Sequence, residues 1–100
     1  MKRRAVEFSE DARGDLIALY DWIATAASPA ISLSYIERLE AYILDFDFAS
    51  ERGHLREDIR PGLRIVGFEH RVTIAFTVED NRVVILRIFY GGQNWADLMQ

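Results

Sequence analysis

Apolar residues recur along this chain at two different periods, and the change of period divides it into helices and strands. In the first half, Ala12, Leu16, Leu19 and Ile23 are spaced four, three and four apart. Leu33, Ile36, Leu39, Ile43 and Phe46 follow at three, three, four and three. Such spacing lays one apolar stripe along one face of an α-helix. Ser9, followed by Glu10 and Asp11, is placed to cap the first helix, over 10–25. Ser28 with Pro29 behind it starts the second, over 29–47. Trp22 and Tyr20 widen the first stripe, and Tyr35 and Tyr42 flank the second, as core and groove walls. The break between the two is short, so the helices are expected to form an antiparallel hairpin.

In the second half the period drops to two. Val72, Ile74, Phe76 and Val78 alternate with Thr73, Ala75 and Thr77. Leu63–Phe68 opens a strand after the turn signal Pro61-Gly62, and Glu79-Asp80-Asn81 turns the chain into Val83–Tyr90. That last run is apolar except for Arg87 and reads as a central strand covered on both faces. Residues 3–8 read as a short first strand, and 48–58 lose all periodicity and read as a surface loop. Gln93–Met99, past Gly91-Gly92, allow one or two turns of terminal helix. The order is β-α-α-β-β-β. The expected class is α+β, a helical hairpin packed on a mainly antiparallel sheet with a short C-terminal helix.

Composition narrows the chemistry. One hundred residues, 50% of them apolar, suit a single domain over 1–100. With no cysteine there are no disulfides, no Cys-ligated zinc and no thiol catalysis. His54 and His70, sixteen apart and without a close partner, follow no metal-ligand spacing, so neither a metal nor a cofactor is expected. No apolar run approaches the ~20 residues of a membrane span. The amino terminus has charge but no apolar stretch of the signal-peptide kind, and a cytoplasmic location is the expectation.

The net charge of −4 argues against a domain that lives on nucleic acid, and it is unevenly spread. Residues 1–58 carry 7 Lys/Arg and 12 Asp/Glu, whereas 59–100 carry 5 Arg and 4 Asp/Glu with no lysine. Arginine without lysine suits forked contacts to carboxylate or phosphate.

The stretch Arg56-Glu57-Asp58-Ile59-Arg60-Pro61-Gly62-Leu63-Arg64 resembles a segment shared by the RelE/ParE toxin superfamily. Val83-Val84-Ile85-Leu86-Arg87-Ile88 is similar to that family's late strand, and Phe89-Tyr90-Gly91-Gly92-Gln93-Asn94-Trp95 to its ending. Ser9-Glu10-Asp11-Ala12-Arg13-Gly14-Asp15-Leu16 resembles its opening. The pattern is closer to ParE than to RelE. The resemblance implies the toxin half of a type II toxin–antitoxin pair, bound by a cognate ParD-like antitoxin whose carboxy-terminal helix and tail wrap it, with DNA gyrase as target. RelE-like members instead cut messenger RNA on the ribosome without a metal, which needs a base, an acid and cations for the phosphate. Here Gln93 stands where such members commonly carry arginine, the single lysine is Lys2, and the closing segment has Trp95 but no Tyr or His. The nuclease set is incomplete, so the resemblance favours an inhibitor of an enzyme over an enzyme. A member that only binds an antitoxin is the remaining alternative.

The candidate target- or antitoxin-binding residues are Arg64, Arg87, Trp95, Arg60 and Tyr90; no catalytic residue is assigned. Arg64 shares a face with Val66 and Phe68 and needs a partner if that face is covered, either a carboxylate such as Asp58 or a ligand. Arg87, inside an apolar strand, is either half of a buried ion pair or part of a functional surface. Trp95 is either the packing anchor of a terminal helix or an interaction hot spot. His70 reads as a turn residue between two strands, with acid–base chemistry as its other use.

Overall fold

Ser9 turns the chain from strand to helix. A computed structural model describes residues 3–99; Lys2 lies outside the described residues. Strand β1 (Ala5–Phe8) ends at Ser9, whose backbone is extended and whose Oγ accepts from the Ala12 amide at 3.0 Å, capping α1 (Glu10–Ala26). The same Oγ donates to Leu86 O at 2.8 Å, so the cap also ties the helix to the sheet. Replacing Ser9 by alanine is expected to lower stability by about 1–2 kcal/mol in urea unfolding. Ser9→Asp, which caps but cannot donate to a carbonyl, is expected to recover part of that loss.

Ser28 caps α2 (Pro29–Leu44) through the Ile31 amide, with Pro29 in the first turn where its missing N–H costs nothing. The inward stripe of α2 is Ser32, Tyr35, Ile36, Leu39 and Ile43. Leu33, expected on that stripe, is 53% exposed. Ser32 takes the inward place near the hairpin bend, donating from Oγ to Tyr20 O across the helix pair at 2.7 Å. The second helix also stops earlier than expected. It gives way to a 3-10 turn at Asp45–Asp47, and the chain reverses at Ala49, where φ is 52°. Side chains from the following segment take up the freed carbonyls: Ser50 Oγ donates to Phe46 O, and Arg52 donates to the carbonyls of Asp45, Phe48 and Ala49.

The segment expected to be a loop contains a strand. Residues His54–Leu55 form β2, paired antiparallel with β3 (Leu63–Phe68). Gly53 before it has φ 73°, and a Cβ there would run into the Ile65 carbonyl, so the approach of β2 to β3 depends on glycine. With β4 (Val72–Val78) and β5 (Arg82–Tyr90) the sheet has five strands in the order β1-β5-β4-β3-β2, with only β1–β5 parallel. The middle strand is β4, not the apolar run of β5, which lies second from the edge and is covered on both faces. Ala75 pairs with Arg87 and Phe76 with Ile85, which leaves Leu86 as the extra residue of a β-bulge.

The helical hairpin covers one face of the sheet, burying Leu19, Ile36, Leu39, Ile43 and Phe46 against Ile74, Phe76, Ile85 and Ile88. The other face carries a smaller cluster. Leu63, Ile65, Ala75 and Phe89 are sealed there by Met99, Ile59, Leu86 and Trp95, the last from the short helix α3 (Trp95–Leu98). The observed class is the expected one, α+β with a hairpin on a mainly antiparallel sheet. Among the described residues no helix is long and apolar enough to cross a membrane.

Candidate functional site

The five candidate side chains fall into four places. Arg64 extends from β3 toward the segment before β2, donating to Arg52 O at 3.2 Å with Glu51 Oε2 at 3.8 Å. Asp58 is not its partner; that carboxylate is held by both forks of Arg56 at 2.9 and 2.8 Å. Arg87 is an ion pair, its guanidinium gripping Asp15 of α1 at 2.8 and 3.1 Å. The structure therefore does not bring Arg64 and Arg87 together. Arg87 braces β5 to α1, whereas Arg64 ties β3 to the segment before β2.

Arg60 reaches the same terminal segment as Trp95, on the face of the sheet away from the hairpin, but through a different partner. Arg60 donates to Met99 O at 3.2 Å, and the Arg56 guanidinium lies over the Trp95 ring at 5.2 Å. Arg56 opens the stretch that carries the resemblance but was not among the candidate binding residues. Its role comes from the turn after β2, which carries it back to α3, and no local pattern marks that. The Asp58 carboxyl beside it is held below its ordinary range by the hydrogen bonds from Arg56.

Tyr90 closes β5 at the opposite end of the sheet, with its ring 5.2 Å from Trp22. Gln93, read from sequence as the place of a missing cation, instead braces the turn by accepting from the Tyr90 amide at 2.9 Å. Tyr90 and Trp22 belong to a groove of about 340 Å³ between the α1–α2 bend and the β3–β4 turn. Arg38 and Glu69 clasp across one side of it through two hydrogen bonds of 3.1 Å, which hold the Glu69 carboxyl below its ordinary range. Tyr35 lines the groove, and burial, with Glu69 adding to it, pushes its phenol up.

The β3–β4 turn that forms the rim is strained. Glu69 and His70 have φ 49° and 59°, closed by the Arg71 amide on Phe68 O at 3.2 Å. A two-residue hairpin turn of this hand favours glycine or asparagine, and left-handed backbone at other residues costs roughly 1–2 kcal/mol each. His70 is a turn residue, as the sequence suggested. Nothing brings it to Arg64 or Arg87, whose guanidinium groups are engaged at the flanks.

The geometry offers two surfaces suited to contact: an arginine–tryptophan platform around α3 and an aromatic groove at the hairpin bend. The family model for the ParE toxin of type II toxin–antitoxin systems, parDE, matches residues 6–95. No curated protein matches the sequence. Among solved structures, a chain from a chromosomal ParDE toxin–antitoxin system of P. aeruginosa superposes with a TM-score of 0.77. It is 22% identical, over 88% of this chain and 96% of that one. A chain of the RelBE2 toxin–antitoxin complex from Mycobacterium tuberculosis superposes with a TM-score of 0.62, at 23% identity, over 93% and 97%. Those likenesses reproduce the hairpin-on-sheet architecture, and the family match runs from β1 into α3: the chain belongs to the ParE toxin family of type II toxin–antitoxin systems.

Proposed function

We propose that this toxin acts by protein–protein contact on a type II topoisomerase, DNA gyrase, and is neutralised by a cognate ParD-like antitoxin. The observation that carries the reading is where the arginines are spent. Cleaving a phosphodiester needs cations left open for the phosphate together with a placed acid and base. Arg87 is committed to Asp15, Arg64 to Arg52 O, and Arg82 to Glu7 and Glu79, which leaves Arg71 to meet a phosphate without them. The platform of Trp95 beneath Arg56 has instead the composition of an interaction hot spot. The choice of gyrase comes from the family resemblance.

A paired assay with purified protein tests this. Plasmid supercoiling by gyrase is expected to be inhibited, and message on translating ribosomes is expected to stay intact. Message cleaved at codon-defined positions with supercoiling unimpaired would overturn the reading in favour of a RelE-like ribonuclease. Inactivity in both assays would leave a protein that only binds an antitoxin.

A further inference from the structure

The groove at the hairpin bend carries chemistry that the gyrase reading does not use. Its lining reaches the core at Leu19 and Val72, and the Trp22–Tyr90 pair also lines it. Tyr35 is more than nine-tenths buried, yet its hydroxyl has no hydrogen-bond partner. Buried hydroxyls are ordinarily paired. Arg71, on the rim, has no carboxylate partner among the described residues, while its neighbour Arg38 is occupied by Glu69. Tyr35, Arg38, Glu69 and Arg71 all line this one groove, so the unpaired donor and the unpaired cation share one place.

We infer that this groove is a socket for an apolar side chain of the antitoxin that has an acidic residue beside it. The inference rests on the antitoxin partnership proposed above. The apolar side chain fills the space between Trp22, Tyr35 and Tyr90, and the neighbouring carboxylate pairs with Arg71. The Arg38–Glu69 clasp is half exposed on both sides, and exposed ion pairs of that kind hold weakly. That side of the groove can therefore give way to the incoming segment, and the Tyr35 hydroxyl, unpartnered in the toxin alone, donates to an acceptor of the antitoxin. A polypeptide fits better than a free solute because two of the groove's own apolar walls, Trp22 and Ile31, stand 43% and 57% exposed and need a larger partner to cover them. At about 340 Å³ the groove is at the small end of ligand sites, which suits one anchoring side chain of a longer chain.

The test measures binding of a full-length cognate ParD-like antitoxin to three variants of the full chain. Arg71→Glu and Ala26→Trp change exposed positions, one reversing the rim charge and the other filling the groove. Each is expected to weaken binding by about 10–100-fold, the span of an interface anchor. Tyr35→Phe is expected to raise the melting temperature of the toxin alone, because it deletes the unpaired hydroxyl, and to weaken the complex. Opposite signs in the two readouts separate a ligand-facing group from a packing group. Wild-type affinity in both Arg71→Glu and Ala26→Trp would overturn the socket and leave the partnership standing. Failure of the wild-type chain to bind that antitoxin would overturn the partnership and the socket with it.

Discussion

A chain with Phe76 replaced by alanine is expected to lose about 3–5 kcal/mol of stability, the range for removing a buried aromatic ring. Domains of this size are stable by only about 5–15 kcal/mol, so the loss is a large share of the total. It corresponds to a fall in melting temperature on the order of 15–30 °C. Phe76 is fully buried on β4, the middle strand, and faces the hairpin. Its ring lies 4.9 Å from that of Phe46, which in turn meets Tyr42 edge-on at 5.4 Å. Phe46 sits on the 3-10 turn, so this aromatic line joins the end of the helical layer to the centre of the sheet. A cavity there cannot be filled by one flexible neighbour, because Phe46 is held by Ser50 and Arg52 through its own turn. Leu33→Ala is the control, and is expected to change stability by less than about 0.5 kcal/mol, since Leu33 is mostly in water. Equal losses in the two variants, measured by thermal or urea unfolding, would contradict this account of the core.

What could be read from sequence was local. Ser9 and Ser28-Pro29 carry their helix-start signal within four residues, and Val72–Val78 shows its strand by simple alternation. The strand β2 has two residues and no period, and its place depends on Gly53 meeting the Ile65 carbonyl across the sheet. The early end of α2 depends on Ser50 and Arg52, which lie downstream in a stretch with no pattern. Leu33 kept the helical spacing but not the burial, because Ser32 fits the close approach to Tyr20 O better than a leucine does. The sites divide in the same way. Arg64 and Arg87 were marked as charges that needed partners, and each has one. Their partners Arg52 O and Asp15 were not readable, since both come from elements distant in the chain. The groove was half legible: Trp22 and Tyr35 were read as groove walls, while Arg38, Glu69 and Arg71 carry no motif. The left-handed backbone of Glu69 and His70 is likewise invisible in a pair of residues that do not favour it.

Replacing Asp15 by alanine is expected to cost about 2–3 kcal/mol, more than an isolated surface ion pair and less than a fully buried one. The reason lies in how β5 is completed. Pairing of β1 with β5 ends at Phe8 opposite Ile85, and beyond it no strand among the described residues lies along the β5 edge. The start of α1 takes that place: the Ser9 amide donates to Ile85 O, Ser9 Oγ donates to Leu86 O, and Asp15 Oδ2 accepts from the Ile88 amide at 2.8 Å. The bulge at Leu86 shifts the β5 register beside Arg87, whose guanidinium closes on the same carboxylate. Alanine at 15 therefore strands one backbone amide and one largely covered guanidinium together, with side-chain exposures of 15% for Asp15 and 28% for Arg87. Water can reach part of the arginine, which keeps the cost below that of a sealed pair. Asp15→Asn retains an acceptor for the Ile88 amide but gives up the charge, and is expected to lose about half as much. Arg87→Lys is expected to behave nearly as badly as Arg87→Ala, because a point charge cannot make the two-pronged contact. In a double-mutant cycle of Asp15→Ala with Arg87→Ala, a coupling of about 1–3 kcal/mol is expected. Additive losses would mean that the clamp contributes nothing as a pair. If Arg87→Ala abolished the proposed gyrase inhibition while melting at the wild-type temperature, Arg87 would be a target contact and not the brace that holds α1 against β5.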